Sequence, residues 1–437
     1  VTAAGAVWRN WSRTESVRPA RVERPADAGA VVRAVQAARR NGMLIKPVGA
    51  GHSFTGIAIA PGVQLDLDDL TGLVAVDRMR GRVTLRAGTR LHRLPALLEP
   101  LGLAMENLGD IDRQTIAGAV STGTHGTGGR FGGLATQVTG VTLVTGEGEM
   151  LTVSEEENAE LLPAVRLGLG ALGVLVDVTL QCVPAFVLAA SERAEPLDAV
   201  LDDFDTRVDE ADHFEFYWFP HTDIALTKTN TRLPADARRA PLSTVGRLVQ
   251  DELLSNAVYA ATCAAGRVLP AVTPRVNRTA TRLFGSREFA DQSTAVFTSR
   301  RRVRFREMEY AIPRAHAAEA LRRIRSLIEQ RGWRISFPVE VRAAAADENW
   351  LSTAHGRDSA YIAVHRYIRE DEGAYFRAVE EIMRDYDGRP HWGKLHYRVD
   401  EELRALYPRF GDFLAVRDRL DPHRLFSNSY LQRVLGA

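Results

Sequence analysis

Ala30, Val31, Ala34, Val35 and Ala38 recur at helical spacing, with Pro25-Ala26-Asp27 before them and Gly42 after, and this pattern predicts a helix over residues 25–42. A short apolar strand, Met43–Val48, follows and runs straight into a glycine-rich loop. Further strands are expected at Val63–Leu67, Leu73–Asp77 and Arg82–Ala87, with a helix over Leu91–Leu101 stopped by Gly102. Val138–Thr145 and Glu149–Val153 flank Gly146-Glu147-Gly148 as a hairpin, and Val174–Val183 is a β-rich run ended by Pro184. Helices and strands alternate without a regular βαβ beat, so the class is α+β.

The texture changes after Pro184. Phe214–Phe219 and Ile224–Asn230 read as sheet strands, Thr244–Val268 and Pro313–Gln330 as long helices. Ile335–Arg342 and Tyr361–Tyr367 are strands with alternating faces, and Glu401–Leu414 is a C-terminal helix. The basic stretch Arg300–Arg306 reads as a solvated strand or an interface edge. At 437 residues the chain is too long for one ordinary core, and two domains are expected.

Composition narrows the classes. Lys and Arg number 56 against 55 Asp and Glu, so there is no global field for nucleic acid or an anionic membrane. Cys182 and Cys263 are far apart, which excludes a disulfide scaffold and a cysteine-rich metal site. No apolar stretch approaches a membrane span, and the first residues lack the pattern of a secretory signal, so a cytoplasmic protein is expected. Only three lysines occur, Lys46, Lys228 and Lys394, and two of them lie beside the motifs below.

Two glycine-rich loops each carry a histidine: Pro47-Val48-Gly49-Ala50-Gly51-His52-Ser53 and Gly123-Thr124-His125-Gly126-Thr127-Gly128-Gly129. Glycines allow sharp turns and close approach, and successive backbone N–H groups form a concave anion site. Two such loops point to one large phosphate-bearing cofactor between them. The pattern G-x-G-x-x-G at Gly168–Gly173 follows a helical segment and precedes a strand, the reverse of a dinucleotide fingerprint, and is rejected as one. No P-loop, zinc-binding His-Glu-x-x-His helix or G-x-S-x-G elbow occurs. Glu340 and Arg342 share a strand face with Cα atoms about 6.5–7 Å apart, an arrangement that also suits a surface ion pair on an edge strand admitting Pro338. His365 shares a face with Ala363 and Tyr367, and His391-Trp392-Gly393-Lys394 sets a scarce lysine beside an aromatic and a flexible glycine.

Taken in order, these motifs, with Asp421-Pro422 and Phe426-Ser427-Asn428 near the end, resemble the aldonolactone oxidase and alditol oxidase group of the vanillyl-alcohol oxidase superfamily of FAD enzymes. The resemblance implies an FAD-binding domain over residues 1–184, a cap domain with an antiparallel sheet flanked by helices over 185–394, and a segment 395–437 returning to the first. It places Val48, Gly49, Ala50, Gly51, His52, Ser53, Gly109, Asp110, Thr115, Gly118, Ser121, Thr122, Gly123, His125 and Leu175 around FAD, with a covalent bond to the flavin through His52. It implies hydride transfer from a carbinol to flavin N5, with Glu340, Arg342, His365 and Lys394 as catalytic residues and no metal. Which of them is the base stays open. The substrate is expected to be a gulono-, galactono- or arabinono-1,4-lactone, with a xylitol- or sorbitol-type polyol as the alternative, and a flavin-binding protein without turnover as one of another class. Alditol oxidases carry Ala-Ser where this chain has Gly109-Asp110; the glycine leans toward lactones and permits reoxidation by oxygen, with another electron acceptor as the alternative.

Overall fold

The structure is a computed structural model and describes residues 6–243, 266, 269–283, 285–299 and 303–436. The first predicted helix is present as α1 (Ala28–Arg40), its Asp27 side chain accepting from the Ala30 N–H at 2.7 Å. It joins β1 (Arg21–Glu23) to β2 (Ile45–Val48) in a three-stranded sheet of order β1-β3-β2, where β3 is Val63–Asp66 and all pairings are parallel. A βαβ unit therefore follows the short antiparallel pair Trp8–Arg9 and Ser16–Val17, a unit that the longer alternation concealed.

The second sheet is antiparallel: β4 (Leu73–Asp77), β5 (Arg82–Arg86), β6 (Val138–Val144), β7 (Met150–Ser154) and β8 (Val174–Gln181), in the order β7-β6-β8-β5-β4. Between β5 and β6 lies α2 (Ile116–Ser121), capped by Thr115, whose Oγ1 accepts from the Gly118 N–H at 3.1 Å. The 91–101 helix exists as one α turn between two 3-10 turns, ended by Gly102 in the left-handed region.

The third sheet has eight strands among the described residues: β9 (Phe186–Pro196), β10 (His213–Trp218), β11 (Ile224–Pro234), β12 (Arg287–Gln292), β13 (Phe305–Pro313), β14 (Val339–Ala344), β15 (Ser359–Tyr367) and β16 (Arg389–Pro390). Their order is β12-β9-β11-β10-β14-β15-β13-β16. Helices α3 (Ala317–Arg331) and α4 (Gly373–Arg384) cover one face. Phe214, Phe216, Met308, Tyr310, Val339, Val341, Ile362 and Val364 pack there with Ile324, Phe376 and Val379 as one core. The alternate positions of the same strands, Glu215, Tyr217, Glu307, Glu309, Glu340, Arg342 and His365, line a cavity on the other side or bond to residues that do.

The last segment returns to the first half. Helices α5 (Asp400–Leu406), α6 (Phe410–Leu420) and α7 (Ser429–Leu435) contribute Leu403, Phe410, Phe413, Leu431 and Val434 to the core of the two N-terminal sheets.

Three expectations need correction. The helix expected over Glu401–Leu414 is two helices, broken at Tyr407-Pro408, because proline has no N–H and its ring displaces the preceding residue from helical geometry. Pro313 ends a strand instead of opening a helix, and α3 starts four residues later. The strand expected from Ile335 begins at Val339, after Pro338, and is an interior strand between β10 and β15, not an edge. The helix expected over Thr244–Val268 lies almost wholly outside the described residues.

Candidate functional site

The loop after β2 forms one wall of a cavity. Gly51 takes φ +68°, a turn open to glycine, and its carbonyl accepts from the Trp11 N–H at 2.7 Å. The N–H groups of Gly49, Ala50, Gly51, His52 and Ser53 donate to no acceptor among the described residues, and all five residues line the cavity. A Cβ at Gly49 would lie 2.3 Å from Thr115 Oγ1, the atom that caps α2, so glycine is required where the loop meets that helix. Thr115, Gly118, Ser121, Thr122 and Leu175 complete the walls. A row of unspent backbone donors in a glycine-lined cradle is the donor set that a pyrophosphate-bearing cofactor needs, and the residues present fit FAD.

Leu169 and Gly170 also line this cavity, so the loop rejected as a dinucleotide fingerprint serves by a different geometry. Lys46 holds it. Its Nζ donates to the carbonyls of Gly170 at 2.8 Å, Phe426 at 3.1 Å and Leu169 at 3.4 Å, spending all three donors of an ammonium group. Val48 and Gly123 line neither this cavity nor the next. Val48 is buried at the end of β2, and Gly123, at φ +77°, turns the chain out of α2.

His52, Ser53, Gln114 and Thr122 border a second, larger cavity as well, so the two spaces adjoin. His52 stacks on Trp11, ring centroids 5.7 Å apart. Burial, reinforced by Arg90, Lys394 and Arg113, pushes its pKa down to about 4, which leaves a neutral imidazole at neutral pH.

The far wall of this larger cavity is the polar face of the eight-stranded sheet. Register sets Tyr217 opposite Glu340, Glu340 opposite Ala363 and Ala363 opposite Glu309, while Glu307 faces His365. Arg342 pairs with Glu340 and donates from Nε to Glu215 Oε2 at 2.8 Å. The Tyr217 hydroxyl donates to Glu340 at 3.2 Å. Burial raises the Glu340 pKa despite Arg342, whereas Arg342 and Lys228 overcome the same burial at Glu215 and hold it low. One guanidinium thus sits between a carboxyl whose pKa is raised and one whose pKa is lowered.

Lys394 pairs with Glu307, whose other oxygen lies 3.5 Å from His365 Nε2. His125 Nε2 lies 3.2 Å from Glu309 Oε1, and its ring stacks on Tyr361 at 3.6 Å. His125 therefore faces the cap carboxylates instead of the cofactor cradle, as do Gly109 and Asp110, which line the larger cavity. His125, Glu309 and His391 bring three possible metal-ligand atoms within 4.8 Å of one another. Hydrogen bonds already occupy them: the Gly393 N–H donates to His391 Nδ1 at 3.0 Å, and His125 meets Glu309.

All four catalytic residues expected from the sequence, Glu340, Arg342, His365 and Lys394, therefore line one cavity with His52. Glu215, Tyr217, Glu307 and Glu309 were missed. The signal for the last two was present in Arg306-Glu307-Met308-Glu309-Tyr310, acids alternating with apolar residues along an unrecognised strand.

The profile of the D-arabinono-1,4-lactone oxidase family matches residues 178–434, more than half of the chain. The chain belongs to this family. A second profile, that of an FAD-binding domain, matches residues 19–154, the stretch that contains both glycine-rich loops. L-gulono-1,4-lactone dehydrogenase of Mycobacterium tuberculosis strain H37Rv is 44% identical over 430 residues, covering 98% of this chain and 99% of the relative. L-gulonolactone oxidase of Mus musculus is 33% identical over 441 residues, covering 98% of each chain. Among solved structures, cholesterol oxidase from Brevibacterium sterolicum shares the fold at a TM-score of 0.79 and 20% identity, covering 98% of this chain and 96% of that one. A solvent-stable cholesterol oxidase does so at 0.82 and 19%, covering 99% and 98%. The family member described here is accordingly an FAD-dependent oxidoreductase of the vanillyl-alcohol oxidase superfamily.

Proposed function

We propose that this chain oxidises a carbinol of a gulono-, galactono- or arabinono-type 1,4-lactone, with FAD bonded covalently through His52 and reoxidised by oxygen. The observation that carries this reading is the meeting of Glu340, Arg342, His365 and Lys394 in one cavity with His52. FAD, when bound, supplies the hydride acceptor at N5.

The chain's own residues do the rest. Glu340, kept from easy ionisation by burial, binds a substrate hydroxyl either as donor or as acceptor. Arg342 and Lys394 are fixed cations, and a cation set in place before reaction stabilises the oxygen as its proton leaves. His365 lines the same cavity and takes that proton. Trp11, Phe54, Phe305 and Phe337 line the same space and limit water. A neutral His52 imidazole keeps the nitrogen lone pair that attachment to the flavin requires. Packing supports a division into 1–184, 185–394 and 395–437: the first and last segments share one core, to which Leu188, Ala190, Val296, Phe297, Trp350, Leu351 and Trp392 of the middle segment also contribute, and a second core lies within the middle segment.

A substrate panel tests this, with oxygen consumption followed beside dye reduction. Lactones are expected to bleach the flavin; turnover of xylitol alone, or no bleaching by any carbinol, overturns the assignment. Acid precipitation should leave a yellow pellet, and a colourless one removes the covalent link. For the acceptor, one observation favours a second reading. A Cβ at Gly109 would lie 2.9 Å from the His125 carbonyl, so packing alone requires glycine there, and glycine does not by itself mark an oxygen path. Dye reduction with slow reoxidation in air would identify a dehydrogenase, as the 44% identical relative is named.

A further inference from the structure

His365 and Lys394 meet at one side chain that the sequence motifs do not contain. Glu307 stands on β13 directly opposite His365 on β15. Its two oxygens are divided, Oε1 toward His365 Nε2 at 3.5 Å and Oε2 paired with Lys394 Nζ. His365 Nδ1 lies 3.0 Å from the Pro338 carbonyl. A carbonyl only accepts, so Nδ1 carries the hydrogen and Nε2 is the atom left to take a proton. Phe305 and Phe337 fix the ring, with centroids 5.2 and 6.1 Å away. The charged groups around the ring are Glu307 from β13, Glu340 from β14 and Lys394 from the segment after β16; Asp110, Asp112, Arg113 and Arg342 line the same cavity.

We propose that Glu307 is a positioning residue for this site: its carboxylate makes His365 Nε2 the base and keeps Lys394 beside it as a fixed cation. The proposal rests on the oxidation proposed above. In that step the carbinol C–H leaves with its electron pair as hydride to FAD and the C–O bond becomes C=O. The hydroxyl proton passes to His365 Nε2, giving an imidazolium that Glu307 stabilises. Burial opposes ionisation of Glu307, yet Lys394 and His365 prevail and bring its pKa down to about 2, so the anion is present throughout the working range. Glu309, the other acid of β13 on this face, is engaged with His125.

Glu307→Gln tests the idea without dismantling the site, because the contacts that pin the Lys394 segment are to backbone. The Glu307 carbonyl accepts from Leu395 N at 2.9 Å and the Glu309 carbonyl from His391 N at 3.0 Å. In holoenzyme labelled with 15N-histidine, the His365 titration is followed by NMR and identified by its loss in His365→Gln. Glu307→Gln should lower its midpoint by about one pH unit or more, as removal of an opposite charge at this range does, with Glu307→Asp in between. On anaerobic mixing with substrate, flavin reduction should slow about tenfold or more, and its limb should move to lower pH by the same interval. An unchanged midpoint in both variants overturns the proposal, as does an unmoved pH limb. Should Glu307→Gln not fold, the midpoint of Glu307→Asp decides. If the wild-type flavin is reduced by no lactone or polyol, the oxidation reading is what has failed, and the midpoint still decides whether Glu307 governs His365.

Discussion

One cavity carries a wall of backbone, and the cavity that adjoins it carries a wall of charge. On the first, Gly49 to Ser53 offer unspent N–H groups and a neutral His52. On the second, Glu215, Glu307, Glu309, Glu340, Arg342 and Lys394 are set on or against adjacent strands in interlocking ion pairs. The difference reflects what each wall has to recognise. A pyrophosphate is met by N–H groups whose positions the turn fixes, and side chains there are reduced to make room. A carbinol that changes its charge during reaction needs groups that differ in proton affinity, and burial with unequal partners supplies that difference along one sheet face.

The sharpest way to break the comparison is to damage each wall alone. Gly49→Ala adds a Cβ against the Thr115 hydroxyl that caps α2, and most of the bound flavin should be lost, measured as flavin absorbance per chain. If the variant keeps its full flavin content, the backbone wall is not what holds the cofactor. Glu340→Gln or Lys394→Met should do the opposite, retaining flavin while slowing its reduction by substrate roughly tenfold or more. Loss of flavin in these variants would show that the two walls do not work separately.

A smaller effect concerns acid. Burial, the leading cause in each case, pushes His52, His213 and His391 down to about 4. The unfolded chain binds the same protons near pH 6.5. Between these values the unfolded state carries more protons, so stability is complete above about pH 6.5 and declines as pH falls toward 4. For His213 alone, which bonds the Thr127 carbonyl at 2.7 Å and accepts from Arg232, the contribution is on the order of 3 kcal/mol. The melting temperature should fall through this window, and His213→Asn should flatten the fall. A melting temperature flat from pH 7 to 4 would contradict the burial of these imidazoles.

The two walls also differ in how far the sequence reveals them. The heart of the cofactor wall is local: one strand, one turn and its glycines are contiguous, so Val48 to Ser53 stands out as a motif, whereas Thr115, Gly118, Ser121 and Thr122 came only with the family resemblance. The substrate wall is assembled across strands, and its pairs join residues far apart in the chain, such as Glu215 with Arg342 and Glu307 with Lys394. Glu340 and Arg342 were legible because they share a strand, yet whether their pair was a surface feature or a buried one depended on neighbours β10 and β15, which no local pattern specifies. Pro338 misled for the same reason. It closes a loop whose carbonyl anchors His365, a use that only the folded neighbourhood defines. The interior positions Met308, Tyr310 and Ile312 carried a strand signal, but the acids between them masked it.

The return of the C-terminal segment bears on the order in which the molecule is completed. The Lys46 ammonium that holds the Gly170 loop is itself held by the carbonyl of Phe426, and the Ile45 N–H donates to the carbonyl of Leu425. The Asn428 side chain donates to the carbonyls of Gly56, Ile57 and Ile59. These contacts close loops of nearly the whole chain, the slowest kind to form. The flavin cradle, though written almost entirely in the first third of the sequence, acquires its last supports only after the cap strands have been synthesised. A ribosome-bound fragment ending before Leu425 lacks these supports of the cradle.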